Sequence, residues 1–368
     1  MTTMQTSSLS QRSLARRASE RSLSHREPHG ASPHRLAKTA RASPPPVPMH
    51  AIRRMRLEQL LDDHPDQRVI LVRGPVGAGK TVLVSQWVRA HAQPCAWLSI
   101  DASHDNDIAL LRHVVEAVEQ LSPDADAVVG RSAVGDDVDE VVLWDVLNVV
   151  THRLGTSITL VLDDVHRLSD PTALHVLEFL VEHPPDGVLL VLITRHKPRI
   201  GLERARLRGD LVEITPATLR FERAEIDTLA STSTGPQLDA ADLERTTLGW
   251  AAGLRLAHLE ASAPDVVSPA LRESDGLASE YIREELIDAS PADVRSFLAV
   301  SCWLPSLSDA LCTTLLGDRS GRPPLTRPDI EALPILPIAS RPGAFRHPPV
   351  LTRVLQEEYR RRDPGAAM

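Results

Sequence analysis

The most informative segment of this chain is Gly74-Pro75-Val76-Gly77-Ala78-Gly79-Lys80-Thr81, "GPVGAGKT". It meets the pattern GxxxxGK[ST]. Glycine-rich loops of this kind point backbone N–H groups at phosphate oxygens and lead the phosphates to the positive end of the helix that follows. We therefore predict that all eight residues bind a nucleotide, with Lys80 at the β- and γ-phosphates and the Thr81 hydroxyl as a ligand of Mg²⁺.

The surrounding pattern predicts a parallel β-sheet. Compact apolar runs occupy 68–74, 95–100, 157–165 and 187–195, and stretches with helical spacing lie between them at 81–92, 107–121 and 170–183. A further short amphipathic helix is predicted over 55–63. Apolar strands that alternate with helices are typical of a parallel sheet covered on both faces. The fold class is therefore α/β, of the P-loop NTPase type.

Two carboxylates follow the third apolar run, in "LVLDD" at 160–164. Asp163 is predicted at the carboxyl end of a buried strand beside the phosphate loop, where a carboxylate that ligates Mg²⁺ belongs. Asp164 is the candidate for polarising the attacking water, although it is shorter than the glutamate that many ATPases use. The next run ends with Thr194 and Arg195, which places polar groups near the γ-phosphate.

Composition limits the class of protein. The 368 residues are 42% hydrophobic and 24% charged, and the net charge is -8. Residues 1–50 hold eight Lys or Arg and two Asp or Glu, so the rest of the chain is strongly acidic, which disfavours a large nucleic-acid surface. Three cysteines form no zinc spacing, and no apolar run approaches the roughly 18 residues of a membrane span. We expect a cytoplasmic protein.

The two ends and the C-terminal half have different patterns. Residues 1–48 are rich in Ser, Arg and Pro, which predicts a disordered basic tail, with a transit peptide, a nucleic-acid-binding arm or a misplaced start codon as alternatives. Residues 363–368 form a second short tail. Predicted helices occupy 222–231, 239–262, 279–287, 291–304, 308–317 and 349–362, with a loop at 318–328 and a small hairpin over 334–339 and 344–348.

From about residue 50 to about residue 357 the chain resembles the STAND-class ATPases, in particular the maltose-regulator (MalT-like) branch of the LuxR-family transcription regulators. The phosphate loop and "LVLDDVHRLSD" are shared with many ATPases. The order "ARLRGDL", then "LRF", then "GWAAGL" is more specific, and "FRHPPV" also matches, with two prolines where the family usually has one. The resemblance implies a nucleotide-binding domain over 49–216, a helical arm over 217–276 and a winged-helix domain over 277–362.

What the resemblance implies about function is a switch in signal transduction. ADP would lock a closed monomer, and ATP with an inducer would open it for self-association. His347 corresponds to a winged-helix histidine that reaches the β-phosphate of ADP. Gly249-Trp250-Ala251 corresponds to a glycine-x-proline element near the adenine, with alanine in place of proline. Arg53 or Arg54 corresponds to an upstream nucleotide contact. The family's sensor repeats and DNA-binding helix-turn-helix are not found in this sequence, so direct DNA binding by this chain is disfavoured.

The leading prediction is thus an ATP-binding switch that needs ATP or ADP and Mg²⁺ and hydrolyses ATP slowly, since no clear glutamate base follows Asp163. Two alternatives stay open. A small-molecule kinase would also use a phosphate loop, and a non-hydrolysing scaffold would bind nucleotide only as a structural element. A GTPase is disfavoured because no NKxD-like motif is present.

Overall fold

The computed structural model describes residues 43–63, 66–122, 139–232, 238–262, 277–316, 324–338 and 340–362. All of them fall in one unit of the chain, Arg41–Met368. The predicted basic tail up to residue 42, the tail 363–368 and most of the predicted loop 318–328 lie outside the described residues.

A five-stranded parallel sheet forms the centre of the N-terminal part. Its strands are β1 (Val69–Arg73), β2 (Cys95–Ser99), β3 (Ile158–Asp163), β4 (Val188–Thr194) and β5 (Leu211–Ile214). The spatial order is β2-β3-β4-β1-β5, and every neighbouring pair is parallel. All six residues of β3 are buried, as expected for a strand covered on both faces. The parallel sheet predicted from the apolar runs is confirmed.

Strand order brings the polar residues of three strands to one edge. β1 lies next to β4, with Arg73 opposite Thr194, and β4 lies next to β3. Because the strands are parallel, their carboxyl ends meet at the same edge, where ligands bind in open α/β sheets. The phosphate loop, Asp163 and Arg195 therefore lie at one edge of the sheet.

Helices cover both faces of this sheet and continue into the arm. The helices of this part are α1 (Met55–Asp62), α2 (Lys80–Ala90), α3 (Asp107–Glu119), α4 (Glu140–Leu154), α5 (Pro171–Glu182), α6 (Glu203–Arg208), α7 (Arg223–Ser231), α8 (Ala240–Thr247) and α9 (Ala251–Ser262). One buried cluster of the sheet packs against α3, α4 and α5, and a second packs against α1 and α2 on the other face.

The single helix predicted over 239–262 is wrong, because the structure divides it into α8 and α9. Leu248 (φ 53°) and Gly249 (φ 74°) adopt left-handed conformations and end α8. A Cβ at Gly249 would lie 2.5 Å from the carbonyl oxygen of Phe221, so no side chain fits there. The turn points α9 back toward the phosphate loop.

Three elements of the sheet domain had not been predicted: the short helix α6, helix α4 and strand β5. Helix α4 is rich in valine and resembles a strand by composition, but the Asp139 carboxylate caps it through the Val142 N–H at 2.9 Å and Gly155 ends it. Strand β5 has four residues, three of them only half-buried, so its apolar signal is weak. Edge position explains that pattern, since β5 pairs with β1 alone.

The C-terminal part combines helices with a two-stranded antiparallel hairpin. Its core is formed by residues such as Phe297, Leu298 and Leu351. The predicted hairpin is confirmed, in shorter form, by β6 (Leu336–Pro337) and β7 (Phe345–Arg346). The helices are α10 (Leu277–Ile282), α11 (Ala292–Ser301), α12 (Asp309–Leu316), α13 (Pro328–Glu331) and α14 (Pro349–Arg362), and a π-helical segment, Arg283–Asp288, continues α10.

Candidate nucleotide site

The phosphate loop joins β1 to α2 and is built around two left-handed glycines, Gly77 (φ 67°) and Gly79 (φ 84°). Lys80 begins α2 and folds back over the loop, where its Nζ donates to the carbonyls of Gly74 (2.8 Å) and Pro75 (3.0 Å). Burial, and next the charge of Arg195, lower the pKa of Lys80 to about 8. Lys80 is thus a desolvated cation that donates to backbone carbonyls of the loop, and a charged phosphate oxygen is a stronger hydrogen-bond partner for it.

Thr81 and Asp163 lie together beside the loop. The Thr81 hydroxyl donates to Asp163 Oδ1 at 3.3 Å. Two oxygens that ligate one Mg²⁺ at right angles, each about 2.1 Å from it, lie about 3 Å apart, so this pair fits a shared magnesium ion. No group of three or more metal-binding side chains occurs among the described residues. Magnesium is usually held by one or two protein oxygens together with substrate phosphates.

Asp163 is almost fully buried, at 4% exposure. Burial, and then the neighbouring charge of Asp164, raise the pKa of Asp163 to about 6. A bound magnesium ion would supply the positive charge that this carboxylate lacks in the free protein.

Asp164 occupies a strained position, with φ at 61°. Its N–H donates to Asp163 Oδ1 at 2.9 Å, and its half-exposed carboxylate lies 3.6 Å from Arg167 and 3.7 Å from His166. Left-handed non-glycine residues cluster at functional sites. The structure brings Asp164 to the predicted edge of the site, and its role toward water stays a prediction.

Thr194 and Arg195, the two polar residues predicted to lie near the γ-phosphate, have different surroundings. Thr194 is fully buried, and its hydroxyl donates to the carbonyl of His196 at 2.8 Å. That internal hydrogen bond engages the group that the sequence assigned to phosphate sensing. Arg195 instead points to the C-terminal part, where Nη2 lies 3.5 Å from Oε2 of Glu285.

Sequence reasoning missed His166. Its ring packs edge-on against His196 with 6.0 Å between the ring centroids, close to Asp164. Burial, and then the charge of Arg195, lower the pKa of His166 to about 3, so the ring is neutral at physiological pH. The signal was its position two residues after Asp164 in "LDDVHRL".

A cavity of about 160 Å³ adjoins the loop on the side of α2. Its lining is mostly apolar, which suits the flat face of a purine. The segment before α1 forms one wall and is held there by Gln86, whose Nε2 donates to the carbonyls of Ala51 (3.2 Å) and Ile52 (3.3 Å). Residues from four parts of the chain line the cavity, among them His50, Ile52, Gly79, Val82, Phe221 and Ala251.

Neither upstream arginine has the geometry of a simple nucleotide contact. Arg54 lines the same cavity but is only 4% exposed. Its guanidinium pairs with Glu225 at 2.9 Å, donates to the carbonyl of Leu219 at 2.6 Å and stacks on the ring of Phe221 at 4.0 Å. Arg53 is bonded to Glu58. Arg54 therefore fixes the wall of the cavity. Its guanidinium contacts residues that are distant in sequence, and these contacts could not be predicted from the sequence.

The arm and the C-terminal part both bond the backbone of the phosphate loop. The indole Nε1 of Trp250 donates to the Val76 carbonyl at 2.9 Å, and the Ala252 N–H donates to the Gly77 carbonyl at 2.9 Å. From the C-terminal part, the Ala332 carbonyl accepts from the Val76 N–H at 3.0 Å. These contacts cover one side of the loop with residues that are distant from it in sequence.

His347 lies inside the C-terminal part, at 4% exposure. Its Nε2 is 2.9 Å from the Ser301 hydroxyl, so in this conformation that nitrogen faces α11. Burial lowers the pKa of His347 to about 4, although a hydrogen bond to the backbone of Pro334 opposes the shift. Contact of His347 with a β-phosphate, which the resemblance implied, stays a prediction and requires a change of hydrogen-bond partner.

Two family models match the chain. An AAA ATPase domain matches residues 52–193, and a MalT winged helix domain matches residues 283–367. The chain carries an AAA-type ATPase domain followed by a MalT-type winged-helix domain. The phosphate loop and strands β1 to β3 with nearly all of β4 lie in the first match, and helices α11 to α14 with their hairpin lie in the second. The predicted fold class and the family resemblance are confirmed.

Similar proteins place the module in longer chains. It is 28% identical to the serine/threonine-protein kinase PknK of Mycobacterium tuberculosis over 341 residues, which are 87% of this chain and 31% of that protein. It is 26% identical to the HTH-type transcriptional regulator MalT of Klebsiella pneumoniae over 322 residues, 84% of this chain and 35% of that protein. The chain thus spans about a third of the length of these relatives.

The fold of the ATPase module recurs in a solved structure. The Walker-type ATPase PABY2304 of Pyrococcus abyssi aligns with a TM-score of 0.55 at 13% identity, over 83% of this chain and 97% of that one. In the part of the chain that the structure describes, no helix is both long and apolar enough to cross a membrane.

Proposed function

We propose that this chain is a nucleotide-gated signalling switch of the LuxR-family type, acting in the cytoplasm in transcriptional regulation. In the closed form the arm and the winged-helix domain hold the phosphate loop and ADP is bound. Exchange for ATP opens the module for self-association, and slow hydrolysis returns it to the closed form.

One observation carries this proposal: the backbone of the phosphate loop is hydrogen-bonded by both the arm and the C-terminal part of the same chain. The Val76 N–H and carbonyl are taken by Ala332 and Trp250, and the Gly77 carbonyl is taken by Ala252. A ligand can shift a conformational equilibrium only by binding its states with different affinity. If the phosphate loop contacts the phosphates as well as the arm and the winged-helix domain, the closed and open states would bind nucleotide with different affinities.

The chemistry follows from the groups at the edge of the sheet. Lys80 would exchange the carbonyls of Gly74 and Pro75 for phosphate oxygens, and Thr81 with Asp163 would hold Mg²⁺, which supplies charge stabilisation when bound. Asp164 would orient water. Asp164 has a shorter side chain than the glutamate that many ATPases use at this position, which fits slow turnover.

The test is the nucleotide that co-purifies with the full chain. We expect bound ADP, released on denaturation and identified by chromatography. Lys80→Ala removes the cation at the loop and should leave the protein folded but nucleotide-free. Addition of Mg²⁺-ATP to the parent chain should increase the particle mass measured by light scattering, and Lys80→Ala should not respond.

The alternatives predict different outcomes. A small-molecule kinase would consume ATP only after an acceptor is added. A non-hydrolysing scaffold would bind nucleotide but release no phosphate, and Asp163→Ala would leave its assembly unchanged. If the parent chain carries no nucleotide and shows no affinity for added ATP or ADP, the switch proposal fails.

A further inference from the structure

Arg195 and Glu285 form an ion pair between the ATPase domain and the C-terminal part. Arg195 directly follows β4, and Glu285 lies in the π-helical segment Arg283–Asp288. The distance from Nη2 to Oε2 is 3.5 Å, and the side chains are 24% and 46% exposed. π-Helical turns are rare and frequently mark functional positions. This one carries a carboxylate to the edge of the sheet where the phosphates are expected.

The Arg195 guanidinium is within electrostatic reach of the phosphate position. It is the strongest charged neighbour of Lys80, since its charge is the largest cause after burial of the lowered pKa of Lys80. The backbone agrees with this, because the Gly74 N–H at the start of the loop donates to the carbonyl of Thr194 at 3.2 Å. Arg195 therefore has one negative partner, Glu285, in the C-terminal part. It also lies next to the position where a second negative group, the phosphate of a nucleotide, is expected.

We propose that Glu285 is a positioning residue that holds Arg195 in place of a γ-phosphate, so that ATP and the closed conformation compete for one guanidinium. The inference rests on the proposed function and names the charge pair that distinguishes ATP from ADP. ADP has no γ-phosphate, so it leaves the Arg195–Glu285 pair intact. ATP offers Arg195 a more highly charged partner, and the C-terminal part loses its ion pair with the ATPase domain.

The cavity beside the pair gives the guanidinium room to turn. Its volume is about 250 Å³, and both Arg195 and Glu285 line it together with His166 and His196. Val76 of the phosphate loop lines the same cavity. A side chain that swings between the loop and Glu285 therefore does not have to displace packed core residues.

A second ion pair between the same two parts of the chain has a different character. Arg73 is bonded to Glu331 of α13, and it is also bonded to Glu213 of the neighbouring strand β5. Glu213 fixes Arg73 to the sheet whatever nucleotide is bound. In contrast, Glu285 is the single ion-pair partner of Arg195 that the described residues provide. We therefore assign the nucleotide-dependent contact to Glu285.

The experiment compares ATP and ADP affinities in the full chain, by displacement of a fluorescent ADP analogue in the presence of Mg²⁺. Glu285→Gln keeps the size of the side chain and removes its charge. A half-exposed ion pair is a weak interaction, so ATP should bind roughly two- to fivefold more tightly, with ADP affinity unchanged. The matched control is Glu284→Gln, an exposed carboxylate on the same segment, which should leave both affinities unchanged.

Repeating the Glu285→Gln substitution in an Arg195→Gln variant distinguishes competition for Arg195 from a general structural effect. In Arg195→Gln the competition is already gone, so adding Glu285→Gln should change neither affinity. The inference is overturned if Glu285→Gln alters ATP and ADP affinity equally, if it alters neither, or if its effect persists in Arg195→Gln. Those results would leave the switch proposal standing, whereas a parent chain that binds no nucleotide would remove both.

Discussion

The Trp250 indole donates its Nε1–H to the Val76 carbonyl over 2.9 Å and so joins the arm to the middle of the phosphate loop. Trp250 is 2% exposed and Val76 is 5% exposed, so the hydrogen bond is shielded from water. A buried carbonyl that loses its donor costs about 1–3 kcal/mol. Phosphate-loop geometry and arm position are therefore coupled through one indole.

Trp250→Phe should loosen that coupling, because the ring stays apolar while the donor is lost. We expect a decrease of about 1–2 kcal/mol in the free energy of unfolding. Release of bound ADP should also become faster, and both effects can be measured by urea unfolding and by stopped-flow displacement of a fluorescent ADP analogue. Trp144→Phe on the exposed face of α4 is the control, and equal effects of the two changes would contradict the coupling.

Gly77→Ala tests how closely the arm approaches the loop. A Cβ there would lie 2.5 Å from the Cβ of Ala252 and 2.9 Å from the Tyr281 hydroxyl, at a φ of 67°. Gly209 also has a positive φ, 80°, but a Cβ at that position would meet nothing within 4 Å. Gly209→Ala should therefore cost only the left-handed conformation, roughly 1–2 kcal/mol. Gly77→Ala should cost clearly more and abolish nucleotide binding.

Thermal melting and ADP affinity of both alanine variants distinguish these effects. If Gly77→Ala has the same melting temperature as Gly209→Ala and still binds ADP, the contact between the loop and the arm does not constrain the site.

Asp163→Asn should separate stability from metal-dependent chemistry. The raised pKa of Asp163, about 6, means that the fold favours the protonated carboxyl. The protonated Asp163 carboxyl makes its full contribution to native-state stability below about pH 4, and this contribution is lost as the pH rises to about 6. At pH 7.5 the charged form therefore costs stability, and the neutral amide should raise the free energy of unfolding of the ligand-free protein, on the order of 2 kcal/mol.

The same variant lacks the anionic ligand proposed for Mg²⁺. It should gain no further thermal stability from Mg²⁺-ATP, whereas the parent chain should. A lower melting temperature for the ligand-free variant at pH 7.5 would show that the buried charge is compensated in a way the structure does not indicate.

His347 predicts acid sensitivity of the winged-helix domain. The pKa of His347 is lowered to about 4, so between about pH 6.5 and pH 4 the unfolded chain binds a proton that the native ring does not. The native state should lose stability as the pH falls through that window, by about 3 kcal/mol from this residue. His347→Gln should flatten the dependence of melting temperature on pH.

The control is His152→Gln at an exposed position of α4, which should leave the pH dependence as it is in the parent chain. Equal slopes for the parent and His347→Gln would mean that another group controls acid unfolding.

Features that depend on a local residue pattern could be predicted before the fold was known. Four of the five sheet strands, the phosphate loop and the hairpin follow from apolar runs and glycine positions, because the conformations they require are set within a few residues. Asp163 was found in the same way, since the end of a buried parallel strand fixes where a carboxylate lies. Strand β5 was not predicted because an edge strand is half-exposed, and helix α4 was not predicted because a valine-rich helix resembles a strand.

The partner of each polar group, in contrast, became visible in the folded chain. Arg54 is bonded to Glu225, 171 residues away, and Arg195 is paired with Glu285. His347 is held by Ser301, and Trp250 reaches the Val76 carbonyl 174 residues upstream. No local pattern specifies such contacts, because they arise from how the arm and the winged-helix domain pack on the loop. Chain topology sets that packing, and the roles of these four side chains follow from it.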